Sequence, residues 1–441
     1  MKYPTNPLSF SVTPGGALQG QLQVPGDKSI SHRAIILGAI AEGNTEIIGF
    51  LEGEDTLATL AAFRAMGVLI EAQGVGRVRV YGVGSRGLSA PPGPLYLGNS
   101  GTSMRLLAGV LSGQSFSTEL IGDASLSRRP MRRVADPLCA MGAKVTISDA
   151  GTPPMWIRGG HVLSGIDYKM PIASAQVKSS LLLAGLFARG KTCVREPEPT
   201  RDHTERMLLG FGYHLHQTSG KACVTGEGAL QGGQIIVPGD ISSAAFFLVG
   251  ATIADGSDLV LENVGVNPTR IGIIHILRMM GADITLFNER MLGGEPAADI
   301  RVRAHPLIGI QIPTEMVPLA IDEFPALFIA AAFAEGKTVV TGAKELRTKE
   351  SDRITVMAEG LRQLGIDAKP TVDGMTIHGG RPTGGKVSSY GDHRVAMAFA
   401  MAGLNSEGTI VIEDCTNVNT SFPDFVDSAT RVGLRISVYP N

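Results

Sequence analysis

Val24-Pro25-Gly26-Asp27-Lys28-Ser29 is echoed half a chain later by Val237-Pro238-Gly239-Asp240-Ile241-Ser242. A run of small and apolar residues follows each copy, then Ala41-Glu42-Gly43 or Ala254-Asp255-Gly256. Self-similarity at a long fixed offset marks a duplicated architecture. The 441-residue chain therefore reads as two related halves. A finer period runs inside them. A helix tail ends on a large apolar residue, meets glycine and enters a β-type stretch at Met66-Gly67, Met141-Gly142, Phe211-Gly212, Met280-Gly281, Leu364-Gly365 and Val432-Gly433.

Each period opens on a polar start such as Asn99-Ser100-Gly101-Thr102 and an apolar helix. A β-rich stretch such as Thr192-Cys193-Val194, a second helix and short strands such as Lys144-Val145-Thr146-Ile147 follow. That pattern predicts an α/β fold of six β-α-β-α-β-β units, three per half. Pro25 and Pro238 mark the crossings, so the halves are expected at 25–237 and at 1–24 plus 238–441. A linear solenoid would run on uniformly; this chain restarts at the proline-glycine-aspartate motif.

Lys+Arg is 39 and Asp+Glu 41, a net charge of −2, which excludes a generally basic nucleic-acid binder while leaving room for a local anion site. The apolar run from Phe324 to Ala334 falls short of the ~20 residues that a bilayer span needs, so no transmembrane helix is expected. No signal peptide or organellar leader is evident, and the cytoplasm is the expected compartment. Cys139, Cys193, Cys223 and Cys415 are far apart in sequence, which predicts neither a disulfide framework nor a thiolate zinc site. Cys139 reads as core packing.

The six first helices begin with unlike polar sets: Lys28-Ser29, Asn99 to Thr102, Ser174-Ala175-Gln176, Ser242-Ser243, Asp322-Glu323 and Asp392-His393-Arg394. Helix N-termini present free N–H groups and partial positive charge, and small residues let an anion approach the backbone. Ser242 and Ser243 read as caps. Capping does not explain Lys28 or Arg394. Further basic groups are Arg33, the Arg128, Arg129, Arg132 and Arg133 cluster, and Lys349 with Arg353. If 349–353 is helical, Lys349 and Arg353 share a face. Any one cluster is equally a solvated face with surface ion pairs. Repeated across both halves, they point to small, multiply charged anions, and few aromatics argue against a polynucleotide. Asp322 and Glu350 could each serve as a general base or acid, but spacing alone favours the plainer readings, an N-cap for Asp322 and an ion pair for Glu350. His214 and His216 lack a third ligand, Asp202-His203-Thr204-Glu205 lacks metalloprotease spacing, Gly74-Val75-Gly76 lacks a dinucleotide fingerprint, and there is no P-loop.

With these residues set out, the chain resembles the 5-enolpyruvylshikimate-3-phosphate (EPSP) synthase family of enolpyruvyl transferases over essentially its whole length. The motifs are Pro25 to Arg33, Gly98 to Arg105, Arg129-Pro130-Met131, Ser174 to Ser179, Lys349 to Arg353 and Asp392-His393-Arg394. The resemblance implies the two-domain enolpyruvyl transferase-like fold, an inside-out α/β barrel of three repeats per domain, with the active site in the cleft between the domains. It implies a monomer, no metal or organic cofactor, and two substrates, phosphoenolpyruvate and shikimate 3-phosphate. By likeness, shikimate 3-phosphate would be held by Lys28, Ser29, Arg33, Ser174, Ala175, Gln176, Asp322 and Lys349, with Arg201 a further contact. Phosphoenolpyruvate would be held by Lys28, Gly101, Arg129, Gln176, Arg353 and Arg394, with Asn99 shaping the turn at Gly101. Asp322 would be the base at the 5-hydroxyl and Glu350 the proton carrier at C3, assisted by Lys28.

The chain also departs from the common pattern. Thr420 stands where many bacterial members carry Lys, and Leu106 where many carry Pro. These features resemble a subgroup often tolerant of the inhibitor glyphosate. Gly101, where tolerance often goes with Ala, implies sensitivity instead. Two rival readings remain: the sister transferase that uses UDP-N-acetylglucosamine, and a non-catalytic anion-binding scaffold. The sister enzyme typically has Lys-Asn in place of Lys28-Ser29 and a reactive Cys in the loop that spans Asp123 to Met131 here, where there is none.

Overall fold

Apolar residues surround half of the helices on every side, and that decides the layering. A computed structural model describes residues 8–226 and 228–440, with twelve α-helices among them. They are α1 Lys28–Ile40, α2 Glu54–Ala65, α3 Gly101–Ser112, α4 Arg132–Ala140, α5 Ala175–Gly185 and α6 His203–Gly210, then α7 Ile241–Ile253, α8 Gly272–Met279, α9 Phe324–Phe333, α10 Arg353–Gln363, α11 His393–Ala402 and α12 Phe425–Val432. The odd-numbered helices are buried over most of their length, as helices apolar all round must be.

Internal contacts divide the chain into two units. The first comprises Gly26–Pro238 with Met291–Glu295; the second comprises residues 8–25, Gly239–Arg290 and 296–440. Residues 1–7, the start of the expected 1–24 segment, lie outside the described residues.

The first unit holds α1 to α6 and three four-stranded sheets. In one, Gln234–Ile236 runs parallel to Glu42–Ile48, which pairs antiparallel with Arg77–Val83, itself antiparallel to Leu69–Ala72. The same parallel–antiparallel–antiparallel order recurs through Leu95–Tyr96, Thr118–Ile121, Met155–Arg158 and Lys144–Thr146. It recurs again through Asp167–Lys169, Lys191–Arg195, Lys221–Thr225 and His216–Thr218. The second unit holds α7 to α12, one three-stranded and two four-stranded sheets. The strand Leu8–Val12 lies antiparallel between Ile410–Glu413 and Ile436–Pro440, and Gln19–Gln23 runs parallel to Asp258–Gly265. Each unit has its own apolar core.

The even-numbered helices all stop in one way. Gly67, Gly142, Gly212, Gly281, Gly365 and Gly433 follow them with φ between +75° and +121°. A left-handed residue after the last turn caps the free carbonyls, and only glycine adopts it without strain. Gly109 serves packing instead: a Cβ there would stand 2.1 Å from Ser180 O, so α3 and α5 cross at backbone contact. Their N-terminal turns therefore lie side by side.

Two expectations about cysteine are corrected. Cys193 and Cys223 are directly opposed across the antiparallel pair Lys191–Arg195 and Lys221–Thr225, with Cα atoms 4.1 Å apart, and form a disulfide. Strand register brings together two residues that sequence distance separates. Cys139 is exposed on the outer side of α4, so it does not pack in a core. No described helix is long and apolar enough to cross a membrane.

Candidate active site

The N-terminal turns of the buried helices carry nearly all of their polar side chains, because every later turn is surrounded by core. In the first unit, Lys28 opens α1 and its ammonium lies 2.9 Å from Asp55, a buried carboxylate in the first turn of α2. Ser29 O accepts from Arg33 Nη1 at 2.8 Å. Arg33 Nε donates to Thr204 Oγ1 at 2.7 Å and its Nη2 to Ser179 Oγ at 2.8 Å. Burial pulls the Arg33 pKa down to about 10; Glu205 and Asp27 act the other way, and nearby Arg201 adds to the fall. Two guanidinium groups that repel one another favour an anion beside them.

A second cluster forms where α3 and α5 begin. Ser100 caps α3 by accepting from Ser103 N, and Ser174 caps α5 by accepting from Val177 N, leaving Gly101 and Ala175 as the first helical residues. Gln176 Nε2 donates to Thr102 Oγ1 at 2.9 Å, and its Oε1 accepts from Arg105. Arg129 donates to Asn99 Oδ1 while Asn99 Nδ2 donates to Asp123 at 2.7 Å. A Cβ on Gly101 would stand 3.0 Å from Arg105 Nη1 and 3.1 Å from Arg129 Nη1. The helix start thus faces two guanidinium groups, which is the chemistry of a carboxylate or phosphate site.

The second unit has its own constellation. Asp322 sits two residues before α9. Its carboxylate is 3.3 Å from Lys349 Nζ and 3.7 Å from Arg353 Nη1, and its carbonyl accepts from Arg394 Nη1 at 3.2 Å. Arg353 is fully buried. Its Nη2 donates to Glu350 at 2.7 Å, and its Nε and Nη2 reach the two oxygens of Asp392 at 2.8 and 3.2 Å. Burial works against the Arg353 charge, but Asp392, Glu350 and Asp322 together outweigh it and raise its pKa. Asp392 also caps α11 by accepting from Arg394 N at 2.9 Å. One buried arginine therefore ties both candidate acid–base carboxylates, Asp322 and Glu350, into a single network.

Three local expectations need correction. Ser242 and Ser243 do not cap α7; Asp240 does, by accepting from Ser242 N. Ser242 Oγ instead donates to buried Glu323 and accepts from Arg270 Nη2, so side chains of the same unit already occupy that helix start. Asp322 is not an N-cap, since Glu323 holds that position. Lys349 and Arg353 share no helix face, because α10 begins at Arg353; they converge on Asp322 from a turn and a helix start. Asp55, Asp123 and Arg105 were missed as parts of these clusters, and Asp392, read as part of a helix start, was not paired with Arg353. Arg105 left a signal, as the one charged residue of Gly101–Ser112. His214 and His216 are exposed, and among the described residues no group of three or more His, Cys, Asp or Glu is placed to hold a metal.

Comparison with known proteins agrees with this chemistry. The family model described as EPSP synthase (3-phosphoshikimate 1-carboxyvinyltransferase) matches residues 12–429. Proteins named 3-phosphoshikimate 1-carboxyvinyltransferase from Alkalilimnicola ehrlichii and Nitrosococcus oceani are 66% and 65% identical to this chain. The matches cover 98% and 97% of the chain, and 97% of each relative. The solved EPSP synthase of Acinetobacter baumannii is 58% identical, superimposes with a TM-score of 0.88, and is matched over 98% of this chain and 100% of its own.

Proposed function

The chain belongs to the EPSP synthase family, whose members transfer the enolpyruvyl group of phosphoenolpyruvate to the 5-hydroxyl of shikimate 3-phosphate, and we propose that its three charged clusters divide that reaction among them. The reaction is a step of the shikimate route to aromatic amino acids. The acceptor oxygen bonds to C2 of phosphoenolpyruvate and loses its proton while C3 gains one. The tetrahedral intermediate then loses phosphate from C2 and a proton from C3.

Arg33, Arg201, Ser29 and the α5 start with Ser174, Ala175 and Gln176 hold the acceptor's phosphate. Lys28, Gly101 and Arg129, with Asn99 orienting Arg129, receive phosphoenolpyruvate together with Arg353 and Arg394. Asp322, with Lys349 beside it, takes the proton of the 5-hydroxyl. Glu350 delivers and later removes the proton at C3, with Lys28 assisting. The arginines neutralise charge that develops on the departing phosphate. The observation that carries this division is Arg353, whose guanidinium lies within 4 Å of both Asp322 and Glu350.

The same reading takes the six sheets as copies of one β-α-β-α-β-β unit, three per half, in an inside-out α/β barrel. It also makes the enzyme a monomer of the cytoplasm. The direct test measures phosphate release with shikimate 3-phosphate in the native enzyme, Asp322→Ala and Glu350→Gln, with UDP-N-acetylglucosamine in parallel. Loss of at least ~100-fold in kcat is expected from each variant, the usual scale for a lost general acid or base. A kcat within twofold of native for either one removes that residue from its role.

A further inference from the structure

We propose that Lys178 is a positioning residue for the acceptor substrate: from inside the first unit it clamps the Glu196–Glu205 segment and so places Arg201 beside Arg33. The proposal rests on the reading of Arg33 and Arg201 as contacts of the acceptor's phosphate.

Lys178 lies in the second turn of α5, where its neighbours are core, and is 1% exposed. A buried ammonium costs several kcal/mol unless its donors are all used. Here the ammonium has partners on three different parts of the segment. Nζ is 2.8 Å from Glu205 Oε1 on α6 and 3.1 Å from Glu196 Oε2, just past the strand Lys191–Arg195. It also donates to Thr200 O at 3.4 Å. Glu196 folds the loop back on the same lysine, since its Oε2 accepts from Thr200 N at 3.2 Å and from Thr200 Oγ1 at 2.6 Å. Burial opposes the lysine's charge, but Glu205 and Glu196 outweigh it and raise its pKa.

Arg201 follows Thr200 directly, and its other neighbour, Asp202, is held by Arg206 Nε at 2.9 Å. Both flanks of Arg201 are thus anchored. Thr204, further along the segment, completes the register: its Oγ1 accepts from Arg33 Nε and donates to Ser179 Oγ, the residue after Lys178. Lys178 and Ser179 therefore fix the loop and Arg33 from adjacent positions of one helix. The Arg33 and Arg201 charges repel, and the anchored segment holds Arg201 in place against that repulsion.

A merely structural salt bridge predicts lower stability with unchanged substrate dependence. The positioning role predicts a split. Lys178→Met should raise KM for shikimate 3-phosphate about tenfold, the scale of one charge-assisted hydrogen bond, with kcat and KM for phosphoenolpyruvate within twofold. Thr200→Val keeps every charge and removes only the Oγ1 bond to Glu196, so it should fold normally and raise the same KM about threefold. The decisive step is the double-mutant cycle with Arg201→Ala. If Lys178 acts through Arg201, adding Lys178→Met or Thr200→Val to Arg201→Ala raises KM no further. Additive effects, or an unmoved KM in a folded Thr200→Val enzyme, overturn the proposal while Arg201 keeps its role. An unmoved KM in Arg201→Ala alone removes the phosphate-contact reading and the proposal with it.

Discussion

Asp392→Asn is the substitution that most directly probes the buried network of the second unit. Asn is nearly isosteric. It keeps an oxygen to cap α11 through Arg394 N, so the cap's contribution of about 1 kcal/mol is largely retained. What it removes is the negative charge that faces Arg353 at 2.8 and 3.2 Å, where both side chains are almost wholly buried. Breaking a buried ion pair from one side costs about 3–5 kcal/mol, because the remaining charge is stranded. Glu350 at 2.7 Å and Asp322 at 3.7 Å still face the guanidinium, so a cost at or just below the bottom of that range, ~2–3 kcal/mol, is expected. For a domain of ~150–250 residues, each kcal/mol moves Tm by ~2–4 °C, so the variant should melt about 5–10 °C lower.

Function should suffer in parallel. An Arg353 that turns to Glu350 and Asp322 for compensation pairs with the two carboxylates that the reaction uses. Thermal unfolding of the ligand-free enzyme, followed by steady-state kinetics with phosphoenolpyruvate varied, reads both effects. The expected fall in kcat/KM is about tenfold, equivalent to ~1.4 kcal/mol. A melting point within 1 °C or so of native, with unchanged kcat/KM, would refute the argument that Asp392 is what makes a buried Arg353 tolerable.

The remaining predictions concern other parts of the chain. His32 is buried in α1 with Nδ1 2.8 Å from Thr59 Oγ1, and burial, then the Lys28 and Arg33 charges, hold its pKa well below 6.5. The unfolded chain therefore binds a proton that the folded chain does not. Stability from this group is complete above about pH 6.5 and falls by up to ~1.4 kcal/mol per pH unit on acidification below it. His32→Gln should flatten the dependence of Tm on pH between 6.5 and 5, and an unchanged slope would count against it. Gly101→Ala brings a methyl 3.0–3.1 Å from Arg105 and Arg129, so it should weaken glyphosate more than phosphoenolpyruvate; equal inhibition constants for native and variant enzyme would defeat the steric argument. Thiol titration of unreduced protein in denaturant should find two reactive groups, Cys139 and Cys415, and four after reduction. Four without reductant would mean that Cys193 and Cys223 are not bonded.

Much of the candidate site was legible because of where polarity is costly. A helix surrounded by core can carry charge only in its first turns, so Lys28 and Arg394, which capping does not explain, stood out from the apolar runs behind them, whereas Asp322 also read as a plain N-cap. The helix stops were legible for an equally local reason, since a left-handed residue after an apolar one selects glycine. Partners were not legible, because pairing is set by the fold and leaves no local mark. Asp55 is 27 residues from Lys28, and Asp392 is 39 from Arg353; each looks like an ordinary helix-start acid until the helices are packed. The cysteines failed likewise, since strand register alone opposes Cys193 to Cys223.

The same contrast explains the duplicated motif. Asp27 and Asp240 both cap their helices, Asp27 by accepting from Ile30 N and Asp240 from Ser242 N, yet the position after Asp27 is a lysine and the one after Asp240 an isoleucine. Around α7, Arg270 and Glu323 fill the helix start from within the unit and hold Ser242 between them. At α1, Asp55 pairs with the lysine. Both copies of the motif carry the cap, which each helix needs in order to fold, and differ in the residue beside it. The repeated aspartates therefore report on folding, and Lys28, which breaks the repeat, is where chemistry should be sought.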